Sequence, residues 1–391
     1  MIAYEKMVLK NKFEVYACPV NLGSEVISVD IFYKVGSRNE QMGKSGLAHM
    51  LEHLNFKSTK NLKAGEFDEI VKGFGGVDNA STGFDYTHYF IKCSRANLDK
   101  ALGLFAELMA NLSLKDEEFQ PERAVVLEER RWRTDNNPLG YLYFRLFNNA
   151  FLYHPYHWTP IGFFKDIESW KINDLREFHS TFYQPKNAFL MVSGDIEPNE
   201  VFRLAKGHFE GIKNGKKIPP IHTKEPQQDG AKRVEIHKNS DTELLGTGKS
   251  SLINEILIDK LGLINEYYAF CNESIDENLF IFICVCNVNV KAESVEKELL
   301  KILERVKSGK ISQRDLQKIK NRVKSDFIFS LNTASSVSSI YGDYIAKGDL
   351  KPLLEYESKV EALEIQHLTR VAKKYFTPKN STTIILRKDK Q

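Results

Sequence analysis

The sequence has little to mark it for a membrane, a polyanion or an oxidising compartment. No span approaches the roughly 18 consecutive apolar residues of a transmembrane helix, and the N-terminus, Met1-Ile-Ala-Tyr-Glu-Lys, lacks the apolar core of an export signal. A cytoplasmic protein is therefore expected, or a periplasmic one if the chain is the processed form of a longer precursor. Lys and Arg number 55 against 52 Asp and Glu, a formal charge of +3. No basic stretch is interleaved with aromatics, so nucleic acid is not an expected partner. Cysteine is scarce: Cys18, Cys93, Cys271, Cys284 and Cys286 are odd in number and scattered. The spacing of the last two is wrong for a zinc knuckle, so buried free thiols in a reducing compartment are expected.

What is present is the composition of a globular protein, 42% hydrophobic and 27% charged over 391 residues. That length exceeds one ordinary core and predicts two domains. Strand-like runs at Lys12–Cys18 and Val26–Val35 lead to a helix over about Ser45–Phe56. Tyr86–Cys93 alternates as a strand should, and amphipathic helices are expected over Ala96–Asn111, from Pro121 to about Arg133, and over Leu139–Phe151. Another helix, near Ile172–Phe182, precedes the strand Ala188–Ser193. Residues 211–230 turn polar and Pro-rich, the best linker in the chain. Phe182-Tyr-Gln-Pro-Lys-Asn187 leads into an apolar strand, and so does Tyr375-Phe-Thr-Pro-Lys-Asn380. The helix around Asp116–Gln120 has a counterpart in Gln313–Gln317, a period of about 195 residues. The fold class expected is α+β: two homologous domains, each a mostly antiparallel sheet with helices packed on one side. The boundaries are 1–213 for the first, 214–230 for the linker and 231–391 for the second.

The chemistry is concentrated in His49-Met50-Leu51-Glu52-His53. Residues four apart on a helix lie one turn apart on one face, so His49 and His53 can converge on one ion. Two neutral imidazoles bind zinc well, and the neighbouring Glu52 can take a proton from an activated water. Leu47, Leu51 and Leu54 would bury the opposite face. Catalytic zinc takes three protein ligands and keeps one position open. A carboxylate from another helix is therefore needed, and Glu122 and Glu129 lie two helical turns apart along one face. Taken alone, that segment also reads as a solvated helix face.

His49-Met-Leu-Glu-His53 followed by Glu129 resembles the inverzincin zinc metallopeptidases, the family of pitrilysin, insulin-degrading enzyme and the mitochondrial processing peptidase. Gly46–Thr59 is similar to the family's zinc helix, Gly75–Thr82 with Asp85, Thr87 and Tyr89 to its substrate strand, and Ser193-Gly-Asp195 to its domain-closing strand. The likeness is specific to about residue 210 and looser after 230. It implies a zinc endopeptidase with one Zn2+ per chain, held by His49, His53 and Glu129, with Glu52 as general base and Glu122 orienting a ligand. It also implies a strand edge at Asn79 and Ala80 to which a peptide or unfolded segment adds as a β-strand. The architecture implied is half of a clam-shell chamber, the chain resembling a half-length bacterial processing-protease subunit.

Two departures from the family pattern bear on partners. Where the family's second domain supplies a substrate-gripping Arg and Tyr, this chain has Leu252 and Ile264-Asn265, with Tyr267 and Tyr268 close by. The resemblance thus implies a homodimer or a heterodimer with a homologous subunit that bears the Arg and Tyr. The alternative is a non-catalytic binding or assembly subunit of such a heterodimer. The second domain also reads as shortened near Thr242–Leu245, where the first spends a strand and most of a helix: either the domain is truncated, or the sequence as given omits a stretch of the polypeptide. Gly246-Thr-Gly-Lys-Ser250 lacks the first glycine of a phosphate-binding loop, Glu243 standing in its place, which argues against an NTPase.

Overall fold

A computed structural model describes residues 2–238 and 252–388. The chain begins with strands β1 (Glu5–Val8), β2 (Glu14–Pro19) and β3 (Val26–Tyr33). Helices α1 (Leu47–Asn55) and α2 (Glu66–Gly73) precede strands β4 (Val77–Thr82) and β5 (Thr87–Ser94). There follow α3 (Leu98–Asn111), α4 (Asp116–Arg130), α5 (Pro138–Ala150), α6 (Phe164–Ser169) and α7 (Ile172–Phe182). Strand β6 (Ala188–Gly194) and helix α8 (Pro198–Phe209) close the first half. The second half contains β7 (Lys232–Lys238), β8 (Ile264–Cys271), β9 (Phe280–Cys286), α9 (Ala292–Lys307) and α10 (Gln313–Ser330). It ends with α11 (Ala334–Ala346), α12 (Lys351–Leu354), α13 (Tyr356–Glu361), α14 (Ile365–Tyr375) and β10 (Thr382–Lys388). Residues 212–231 carry neither helix nor strand. Among the described residues no helix is long and apolar enough to cross a membrane.

The chain divides into two compact units that are interleaved along the sequence rather than cut at the Pro-rich stretch. The first comprises residues 1–128, 158–222 and 325–356. Its sheet has six strands in the order β1-β2-β6-β3-β5-β4, antiparallel except for β2 beside β6. Alternation along β3 sends Ile27, Val29, Ile31 and Tyr33 to one face, where Leu51 of α1, Phe105 of α3 and Val201 of α8 pack on them. Phe32 points the other way, with Tyr16, Cys18, Phe189 and Met191, and is covered by Val337, Tyr341 and Ile345 of α11. Strands buried on both faces read as unbroken apolar runs, and β6 is buried at every residue. The helix that covers the rear face thus comes from late in the chain, because that face needs an apolar partner whichever repeat supplies it.

The second unit comprises residues 129–157, 223–324 and 357–391. Here β7 and β10 pair in parallel, and β8 and β9 pair antiparallel as a separate ribbon. Helix α5 packs on β10 and β7. Leu257, Ile264, Tyr267, Cys284, Cys286, Val295 and Ile385 form its core. The two repeats match element for element where the sequence does: α7, a short turn at Pro185–Asn187 and β6 in one, α14, a turn at Pro378–Asn380 and β10 in the other. One boundary differs from expectation. Helix α4 starts at Asp116, with Asp116, Glu117 and Glu118 in its first turn, where acids favour a helix N-terminus. Pro121 therefore lies inside the helix and not at its start.

Candidate metal centre

Helix α1 is started by groups outside it. No capping Ser, Thr, Asp or Asn precedes Leu47; Gly46 stands there with φ 88°. A Cβ at that position would fall 2.7 Å from the Trp170 ring and 2.8 Å from the Ile161 carbonyl, so the turn admits glycine alone. The orphan amides of the first helical turn are taken by Glu40. Its Oε2 accepts from Gly46 N and its Oε1 from Ala48 N, both at 2.8 Å, and Trp158 Nε1 donates at 2.9 Å. Burial pushes the Glu40 carboxyl up to about 8 against these three donors. Leu47, Met50, Leu51 and Leu54 face the core, which fixes the rotation of the helix and with it the direction of the histidines.

His49 is buried, while Glu52 and His53 are half-buried. The His49 and His53 rings lie 4.8 Å apart, centroid to centroid, with planes at 77°. Glu129, on the last turn of α4, completes a set in which one ligand atom from each residue lies within 4.8 Å of the others. Among the described residues this is the one group of three or more His, Cys, Asp or Glu so placed. Two imidazoles and one carboxylate are the donor set of a zinc ion with three protein ligands and an open position, so the residues fit that metal.

Hydrogen bonds and ion pairs surround the set. His53 Nδ1 donates to Glu122 Oε1 at 2.8 Å, the arrangement in which Nε2 carries the lone pair that a metal could take. Lys57 Nζ holds the other Glu122 oxygen at 2.6 Å. Burial pushes the Glu122 carboxyl up, but hydrogen bonds from His53 and Lys57 outweigh it and hold it below the ordinary carboxylate value. Arg133 Nε lies 3.1 Å from Glu129 Oε1, on a π-helical segment, Arg131–Asp135, that continues α4. Segments of that kind are frequent at functional sites. Glu52 Oε2 accepts a short hydrogen bond from Thr82 Oγ1, at the end of β4.

Strand β4 is the edge of the six-stranded sheet. It pairs with β5 and, among the described residues, with no other strand. Asn79 is exposed, its Oδ1 accepting from Ala80 N at 2.8 Å, and Ala80 packs on the main core. The structure thus brings His49, His53 and Glu129 together, puts Glu122 on His53, and leaves Asn79 and Ala80 on an open edge. Glu40, Lys57, Thr82 and Arg133 were not singled out in the sequence. Lys57 lies one turn beyond His53 and Arg133 one turn beyond Glu129, so both could have been found by helical spacing; Glu40 and Thr82 belong to no local pattern.

At the positions of the expected Arg and Tyr, Leu252 packs on the core of the second unit and Ile264 is buried within it. Tyr267 is buried there too, and the Tyr268 hydroxyl donates to Glu266 Oε1 at 3.3 Å. Residues 242–250, which hold the shortened stretch and the Gly-Thr-Gly-Lys-Ser segment, lie outside the described residues.

Residues 19–151 match the family model described as Insulinase (Peptidase family M16). Residues 169–243 and 242–323 match the model of the Peptidase M16 inactive domain, in two stretches that meet at 242–243. Zinc protease PqqE of Helicobacter pylori is 50% identical over 411 residues, covering 98% of this chain and 93% of that protein. The chain belongs to peptidase family M16. The crystal structure of a protease from Helicobacter pylori superposes on this M16 chain with a TM-score of 0.96 at 50% identity, covering 99% of this chain and all of that one. A probable mitochondrial-processing peptidase subunit beta of Arabidopsis thaliana is 23% identical, over 92% of this chain and 74% of that protein. The M16 chain is therefore similar along nearly its whole length to proteins named zinc proteases.

Proposed function

We propose that this chain is a zinc-dependent endopeptidase that hydrolyses peptides or unfolded segments bound as an added strand along the open edge of β4. The observation that carries the proposal is the convergence of His49, His53 and Glu129, from two helices, beside Glu52. When bound, zinc supplies a Lewis acid that acidifies a water and polarises a carbonyl. The chain's own residues divide the remaining work. His49, His53 and Glu129 hold the ion, and Glu122 keeps the His53 ring in the tautomer that exposes Nε2. Glu52 accepts the proton of the attacking water and passes it to the leaving amine. Main-chain hydrogen bonds at Asn79 and Ala80 hold the substrate backbone, which favours extended segments over folded proteins and reads sequence loosely.

In this reading the chain works as a pair, with itself or with a homologous subunit that brings an Arg and a Tyr. Support comes from Leu252 and Ile264 at the expected positions and from the burial of Tyr267. A shortened second repeat, with its seam where the two family-model stretches meet, fits the same division of labour. The free cysteines fit a reducing compartment.

Glu52→Gln is expected to keep its zinc and bind an unstructured peptide without cutting it. Undiminished cleavage would remove the proposal. The second reading, a binding or assembly subunit, is favoured by the same Leu252 and Ile264 and requires no metal. Zinc at much less than one per chain after purification with and without added zinc would select it.

A further inference from the structure

Thr82 closes β4. Its backbone is fixed by pairing with Thr87 across the hairpin, and Gly83 N donates to the Tyr86 carbonyl at 2.9 Å to close the turn. Along β4 the exposed residues are Val77, Asn79 and Ser81, and the half-buried ones are Asp78, Ala80 and Thr82. The period of two puts Ala80 and Thr82 on one side of the strand, and helix α1 packs against β4. From there the Thr82 hydroxyl donates its one proton to Glu52 Oε2. Behind this contact the interior is closed: Tyr89, opposite Ala80, and Tyr183 are buried with their hydroxyls 2.9 Å apart.

We propose that Thr82 is a positioning residue for the Glu52 base. This rests on the reading of Glu52 given above. A glutamate carries three rotatable bonds, and a proton acceptor must be held in one orientation to meet the attacking water. A hydroxyl on a paired strand supplies that restraint, where a lysine or a loop residue would move with its own chain. The restraint has a second consequence. The residue that orients the base stands on the strand whose edge takes the substrate, two positions from Ala80. Substrate backbone and base are thus set from one rigid element, and a strand added in the wrong register presents its carbonyl to a base that does not follow it.

The test uses the zinc-loaded full chain and an unstructured peptide with a fluorophore and a quencher at its ends. Thr82→Val keeps the shape and removes the hydroxyl; Thr82→Ser keeps the hydroxyl. The valine variant is expected to retain its zinc and its KM within about twofold while kcat falls about ten- to a hundredfold. The serine variant is expected to recover most of that loss. In crystals of the zinc-loaded valine variant the Glu52 carboxylate is expected to leave the orientation it has in the wild type. Wild-type kcat in Thr82→Val overturns the proposal, as does a raised KM at unchanged kcat or an unmoved Glu52. If the wild-type chain cuts only in the presence of a partner, the orientation of Glu52 decides. If the valine variant does not fold, Thr82→Ala gives the same comparison. An active Glu52→Gln removes the base reading itself; an inactive Glu52→Gln beside a fully active Thr82→Val removes this proposal alone.

Discussion

Strands β2 and β6 run side by side in parallel in the first unit, and β3 and β5 continue the sheet beyond β6. In the second unit β7 and β10 run side by side in the same way, but β8 and β9 form a ribbon of their own. The pieces correspond: a helix, a Pro-Lys-Asn turn and a closing strand occur in both. The difference lies in the strand between. β3 is flanked by β6 and β5 and is buried on both faces from Ile27 onward, whereas among the described residues no strand joins β10 to β9. A strand so placed makes two ladders at once, and without one each remaining pair has an extra open edge. His49, Glu52 and His53 stand on α1, whose apolar face packs on the continuous sheet and so has a rigid floor.

Hydrogen exchange is the most direct way to break that comparison. Amides of β3 and β6 are expected to exchange at least about a hundredfold more slowly than those of β8, β9 and β10, because two-stranded sheets open more readily than a sheet buried on both sides. Equal protection in the two units would show that the β7–β10 and β8–β9 pairs are held as firmly as the six-stranded sheet. A packing substitution sharpens it from the other side. A Cβ on Gly342 of α11 would lie 2.1 Å from Phe32 Cζ, and Phe32 is itself stacked on Phe189 at 4.8 Å and His88 at 4.1 Å. With no room to turn aside, Gly342→Ala should destabilise the first unit by about 1–3 kcal/mol, read as a lower urea midpoint. An unchanged midpoint would mean that α11 does not close the rear face of the sheet.

A change of pH probes the first unit through a single buried group. Glu40 caps α1 from the interior, and burial raises its carboxyl from about 4.5 to about 8. Within that window the native state holds a proton that the unfolded chain has released, so stability falls as pH rises from about 4.5 to about 8. In Glu40→Gln this contribution disappears. Its stability should vary less than that of the wild type between pH 5 and pH 8, as followed by thermal unfolding. Parallel curves would show that Glu40 keeps its charge throughout.

Much of this was readable from residues alone, and what was not shares a cause. The pair His49 and His53 is legible because the helical period is short, whereas Glu129 was pointed to by the family resemblance, its spacing from Glu122 reading equally well as a solvated helix face. Strands β3 and β6 are legible as apolar runs. Periodicity, however, says that a face is buried and not against what. Phe32 lies in an apolar run that needs cover on both faces, but its partners on α11, about three hundred residues away, were not visible. The same holds for Glu40, whose carboxylate finds amides at Gly46 and Ala48 through a bend no pattern encodes, and for Thr82, an ordinary strand threonine until α1 packs beside it. Tyr267, close to where the family carries its Tyr, belongs to the core of the second unit, which sequence proximity alone does not tell.

The placement of α11 also sets a timetable. When β6 has left the ribosome, the sheet can form and the helices of the first half can cover one face. The other face, with Tyr16, Phe32, Phe189 and Met191, waits for α11, whose first residue is Ala334. Roughly 140 residues separate the two, and at about 5–20 residues per second that is on the order of ten seconds with an apolar surface bare to water. The nascent chain is thus a natural client for a ribosome-associated chaperone during that interval. A message truncated near residue 222 would leave behind a chain with one side of its sheet permanently unfinished.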